Sequence, residues 1–260
     1  MKKIAFILIF QVFLAINIDA SNHIFETIDS QQKIPKSILF IGNSYLYYND
    51  SLHNHFKRIV EERRPGYDGS RNIKSATIGG SRLKHHDLDY LLGYKAISSI
   101  DQFDLVILQG GSGESLSKKD RDYFSKVAKE HIDKIKSIGA DAGLYMIHAY
   151  TKSHKNYSPN LIRVIEEMYT KAGENNHTLV IPVGLAFENA YKKRPAIKLH
   201  KIDGTHPDIL GTYLAACVVY ASIYKDNPVG ISYDYNGVIN PEDKLFLQNI
   251  AHETVQAYLN

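Results

Sequence analysis

Short apolar runs of strand length recur along the chain at 37–41, 72–77, 105–108, 143–147 and 178–183, each closed by polar or turn-forming residues. Between them the apolar positions change to helical spacing. Leu52, Phe56, Ile59 and Val60 share one face behind Asp50 or Ser51 as cap, and Phe124, Val127, Ala128, Ile135 and Ile138 share another that ends at Gly139. Ser158 and Pro159 open a third helix, with Leu161, Ile162, Ile165, Met168 and Tyr169 facing inward and Gly173 as its expected end. A long apolar helical pattern follows Pro207, and Asn240, Pro241, Glu242 and Asp243 have the order of a helix start that runs nearly to Leu259. Five strands alternating with helices predict an α/β fold: a five-stranded parallel sheet, doubly wound, in a three-layer α/β/α sandwich. In such sheets ligands bind at the carboxyl ends of the strands.

The first residues follow a different pattern. Lys2 and Lys3 precede an apolar stretch from Ile4 to about Ile18, which is interrupted by Gln11 and Asn17 and followed by Ala20. This predicts a secretory signal peptide over 1–20 rather than a membrane span, with a polar lead-in over 21–36 and one domain over 37–260. No cysteine follows the apolar run, so no lipid anchor is expected, and the expected location is secreted or periplasmic. The lone Cys217, in an Ala-Ala-Cys-Val-Val helix, reads as a small buried hydrophobe. A net charge of +3 with interspersed signs, and no basic tract interleaved with aromatics, argues against a nucleic-acid partner.

Chemistry enters at two places. Ser44 follows the apolar run SILFI and Gly42, at a strand-to-loop turn, and Asp203 stands three residues before His206 in DGTHPD. A serine hydroxyl needs an imidazole to take its proton, and the imidazole needs a carboxylate to fix its tautomer and stabilise its cation. Ser44, His206 and Asp203 supply those parts, with Asp208 read as a helix cap.

These segments resemble the SGNH, or GDSL-type, hydrolases, in matching order over most of the mature chain. Gly42-Asn43-Ser44 matches the nucleophile turn, SATIGGSRL matches the glycine block, with Gly80 the better match and Gly79 the fallback, and Asp203 with His206 matches the DxxH block. The third block departs: where the family has Gly-x-Asn-Asp the chain reads LVILQGGSGES, with Ser112 in the asparagine column and Gln109 just ahead. The combination is most similar to a poorly characterised branch found in secreted bacterial proteins. The resemblance implies a serine esterase with Ser44 as nucleophile, His206 as base and Asp203 as its partner. The backbone N–H groups of Ser44 and Gly80 are then the expected oxyanion donors, joined by Gln109, whose amide is the closer mimic of asparagine, or by Ser112 through its hydroxyl.

Ser112, His148 and Tyr45 are expected to line the substrate, an acylated glycan or other small acyl ester. Tyr45, Tyr47 and Tyr48 crowd the nucleophile turn and offer flat faces to a sugar, although the chain has no tryptophan. No cofactor or metal is expected. The histidines of HHDLD, 85–89, have no partner cluster of ligand spacing, and GGSGES has neither the glycine pattern nor the lysine of a phosphate loop. Two other classes use the same parts: an O-acyltransferase, and a carbohydrate-binding surface protein that keeps the fold without efficient chemistry.

Overall fold

The computed structural model describes residues 34–259. The expected signal peptide and most of the lead-in lie outside the described residues. Five strands form one sheet: β1 (Ile38–Gly42), β2 (Ile73–Thr77), β3 (Leu105–Gln109), β4 (Asp141–Tyr145) and β5 (Leu179–Ile181). Their order is β2-β1-β3-β4-β5 and every pairing is parallel. Strands β1 and β3 are buried along their whole length, which explains their unbroken apolar sequences. Gly42 pairs with Thr77, and Gln109 pairs with Tyr145, so the strands reach their carboxyl rim together.

The parallel pairings require a crossover between each pair of strands, and the helices fall into two packed groups. On one face α5 (Lys118–Ser137) packs against α6 (Leu161–Asn176). On the other, α2 (Leu52–Arg63), α8 (Ile209–Tyr224) and α9 (Pro241–Leu259) pack together, with α7 (Val183–Lys193) beside α8. Three one-turn helices, α1 (Ser44–Tyr47), α3 (Gly69–Asn72) and α4 (Leu88–Leu91), complete the set. Helix α8 is buried on all sides from Gly211 to Ser222, and Cys217 lies within it as a buried free thiol. An all-round apolar helix is what such a position requires.

Several boundaries differ from the sequence reading: β4 lies two residues earlier than 143–147, and α6 opens at Leu161 rather than at Ser158 and Pro159. Helix α6 runs through Gly173 to Asn176 and is capped by His177 at φ 45°. The glycine serves packing instead: a Cβ there would stand 2.3 Å from Val180 Cγ2, so its absence lets the helix settle on β5. Strand β5 stops at Ile181 because Pro182 caps α7, a helix the sequence reading did not name and of which it placed only Val183 in the strand.

Candidate active site

The nucleophile turn is built around Asn43. Its side-chain oxygen accepts from the Tyr45 N–H at 3.1 Å and caps α1, placing Ser44 at the first helical position. Its Nδ2 donates to the Ser81 carbonyl at 2.9 Å, in the loop after β2, and its backbone N–H donates to Gln109 Oε1 at 2.8 Å, at the end of β3. One residue thus joins the rims of three adjacent strands. Gly42 is required for this: a Cβ there would lie 2.4 Å from Gln109 Oε1.

The loop carrying the base is folded on itself. Asp203 Oδ1 accepts from the N–H groups of Thr205 and His206 at 2.9 and 3.0 Å, and Oδ2 accepts from His206 Nδ1–H at 2.7 Å. That leaves Nε2 as the acceptor for the Ser44 hydroxyl, at 2.9 Å. Burial opposes ionisation of Asp203, but the hydrogen bonds from the His206 ring and the two backbone N–H groups outweigh it and hold the carboxyl down at about 2. The structure therefore brings Ser44, His206 and Asp203 into one hydrogen-bonded line, with the His206 and Asp203 side chains 24% and 42% exposed.

Gly80, in the loop after β2, has φ 66°, is exposed, and has nothing within 4 Å of where a Cβ would point. Among the described residues neither its N–H nor that of Ser44 has a hydrogen-bond partner. Gln109 is placed differently from its expected role. Its Oε1 accepts from the Asn43 N–H and one of its two Nε2 N–H groups goes to the Gly110 carbonyl, so the buried amide braces the turn that carries Ser44. The Ser112 side chain faces the Tyr45 phenol.

His148 and Tyr45 also lie elsewhere than at a substrate surface. His148 is 1% exposed, with its ring stacked between Tyr45 at 4.3 Å and Phe187 at 4.4 Å. Its Nε2–H donates to the Thr205 carbonyl at 2.8 Å, and the buried Tyr45 hydroxyl pairs with Thr205 Oγ1 at 2.6 Å. Both hold the base loop from beneath. Tyr48, expected to offer its face to a sugar, instead stacks its ring on the His206 imidazole at 4.4 Å, and two contributors were missed in the sequence: Thr205, between Asp203 and His206, and Glu114. The buried Glu114 carboxylate accepts from the Gly111 N–H at 2.5 Å and the Leu83 N–H at 3.3 Å, tying the third block to the glycine loop. An apolar-to-polar pattern carries no mark of a buried carboxylate that serves backbone groups.

Among the described residues no His, Cys, Asp and Glu group is arranged to hold a metal. In the HHDLD run, His85 Nδ1 accepts from the Arg82 N–H, His86 Nε2 pairs with Ser81 Oγ at 3.0 Å, and Asp87 caps α4.

Burial holds several imidazoles neutral. It pushes His53, His86 and His200 down to about 4, from an ordinary 6.5, and His148 well below that ordinary value. In the unfolded chain these rings take up protons near 6.5, so the contribution to stability is complete above that pH and is lost as pH falls from about 6.5 towards 4. Urea unfolding at a series of pH values should show a falling free energy through this window. A flat profile from 7.5 to 4 would contradict the burial of these rings.

No family model matches the chain, and no curated protein matches it. Solved structures do. A DUF4886 family protein from Bacteroides uniformis is similar over 86% of this chain and 96% of its own, with a TM-score of 0.67 and 18% identity. A Slackia heliotrinireducens protein assigned to the SGNH hydrolases matches over 72% of this chain and 98% of its own, with a TM-score of 0.57 and 20% identity. The acetyl xylan esterase AlAXEase matches over 71% and 98%, with a TM-score of 0.55 and 18% identity. At such identities the likeness concerns the path of the backbone, and by that path, its strand order and its rim of loops, the chain has the fold of the SGNH hydrolases.

Proposed function

We propose that this protein is a secreted serine esterase of the SGNH type that hydrolyses small acyl esters, foremost O-acetyl groups on carbohydrate. The observation that carries the reading is the line from Ser44 Oγ to His206 Nε2 to Asp203, beside two unpaired N–H groups. Ser44 attacks the ester carbonyl as His206 Nε2 takes its proton. The N–H groups of Ser44 and Gly80 receive the oxyanion, fixed in place before charge develops. His206 then returns the proton to the departing alkoxide, leaving an acyl group on Ser44. A water deprotonated by His206 releases the acid by the same steps in reverse.

The acetyl-carbohydrate preference is supported by the solved structures of similar fold that are acetyl xylan esterases. The exposed Tyr47, stacked on Tyr48 at 5.6 Å, offers an aromatic face next to the base. The exposure of His206 and Asp203 favours water over a sugar hydroxyl as acyl acceptor, which sets hydrolysis ahead of acyl transfer. Export is supported by Lys2, Lys3, the apolar run and Ala20. N-terminal sequencing of protein recovered outside the cytoplasm should begin near Ser21, and a retained Met1 would overturn it.

Purified protein should hydrolyse a short-chain aryl ester and release acetate from acetylated xylan, and Ser44→Ala should lower kcat at least about a thousandfold. Gln109→Ala should chiefly destabilise, by about 1–3 kcal/mol, because the buried Asn43 N–H loses its acceptor. Its kcat, per folded molecule, should stay within about tenfold of wild type, less than the hundredfold or more of a lost oxyanion donor. Wild type without turnover on either substrate would leave the binding-protein class.

A further inference from the structure

Between α1 and α2 three consecutive residues other than glycine, Asn49, Asp50 and Ser51, have φ of 55°, 67° and 66°. Single asparagines and aspartates visit this region, but three such residues in succession are strained, and Ser51, with ψ 133°, sits where only glycine is at ease. The strain is held from below. The buried His55 donates from Nε2 to the Asn49 carbonyl at 2.7 Å and accepts from the Tyr233 hydroxyl at 3.0 Å. Arg58 donates to Asp50 Oδ2 at 2.6 Å, and Ser51 Oγ donates to the Leu46 carbonyl at 3.0 Å.

A turn that merely started α2 would spend its side chains on that helix. Asn49 does not. Its Nδ2 donates to the Pro207 carbonyl at 2.9 Å and to Thr212 Oγ1 at 2.8 Å, the first directly after His206 and the second in the first turn of α8. Tyr48, the residue before it, covers the face of the His206 ring.

Resting on the esterase reading, we infer that Asn49 is a positioning residue for the general base, and that the strained turn is kept because it delivers the Asn49 amide to the His206 loop. The contacts close a short circuit: Ser44, along five residues to Asn49, across to Pro207, back one residue to His206, and through its Nε2 to the Ser44 hydroxyl. In-plane bonds aim the imidazole at Ser44, but its loop is exposed at Asp203, and the circuit fixes the distance between nucleophile and base independently of that loop's own bonds. Small misplacements of such groups cost rate out of proportion to their size.

The test reads nucleophile activation directly. A short alkyl fluorophosphonate reports it: the Ser44 oxygen bonds to phosphorus, fluoride leaves, and the hydroxyl proton passes to His206. Its second-order labelling rate is compared with kcat and KM on a short-chain aryl ester for wild type, Asn49→Gly and Thr212→Val. Asn49→Gly relieves the backbone while removing both donated bonds. It should melt within a few degrees of wild type, yet label and turn over about tenfold more slowly with KM little changed. Thr212→Val leaves the turn intact and removes one acceptor, so it should give a smaller loss of the same kind, and it decides the matter should Asn49→Gly not fold. Folded variants that label as fast as wild type would overturn the inference alone. Wild type that takes no label would overturn the esterase reading, and the inference with it.

Discussion

Asn43 holds the rim of the sheet with its backbone and its side chain: its N–H on Gln109, its Oδ1 on the Tyr45 N–H and its Nδ2 on the Ser81 carbonyl. Strand β1 lies between β2 and β3, so these bonds pin the nucleophile turn to the loop on each side. Without them Ser44 would sit on a one-turn helix with little of its own to hold it, since an isolated turn has no favourable balance of hydrogen bonds against backbone entropy. The missing Cβ of Gly42 makes room for Gln109, and Gly80, at φ 66°, holds a backbone conformation that favours glycine.

His206 reaches Ser44 from the other end of the chain and is supported separately. Thr205 is held from beneath by His148 and Tyr45, which are packed against Phe187 in an aromatic stack. Pro207 is held by Asn49, and the ring of His206 is covered by Tyr48. The residues doing this are apolar or neutral where buried, because a charged imidazole at His148 would be uncompensated there. A largely uncharged support beneath the half-buried His206 and the exposed Asp203 leaves the charge of this pair where water can stabilise it.

Much of this was legible in the sequence. The unbroken apolar runs of β1 and β3 mark strands buried on both faces, and the positions just past each strand end marked Ser44 and Gly80. The DGTHPD segment carried its geometry openly, because an Asp three residues before a His can bond both the ring and the backbone between them. What was not legible depended on contacts between distant segments. Gln109 reads as a donor in sequence, yet its amide is turned back onto Asn43 and Gly110 by space that only Gly42 leaves. His148 at a strand end reads as rim-facing, but Phe187, from a helix hidden in the run after β5, buries it. Gly173 has the sequence of a helix end and the function of a packing notch.

In the proposed esterase, Ser44 and Gly80 supply the oxyanion donors through their backbones while Gln109 holds the turn. The direct measurement is a crystal structure of the protein carrying a phosphonyl group on Ser44. The account predicts one phosphoryl oxygen within hydrogen-bond distance of both the Ser44 and Gly80 N–H groups, His206 Nε2 facing the opposite side, and Gln109 Oε1 still accepting from Asn43. A phosphoryl oxygen bonded instead to Gln109 Nε2, with the Asn43 contact broken, would contradict it.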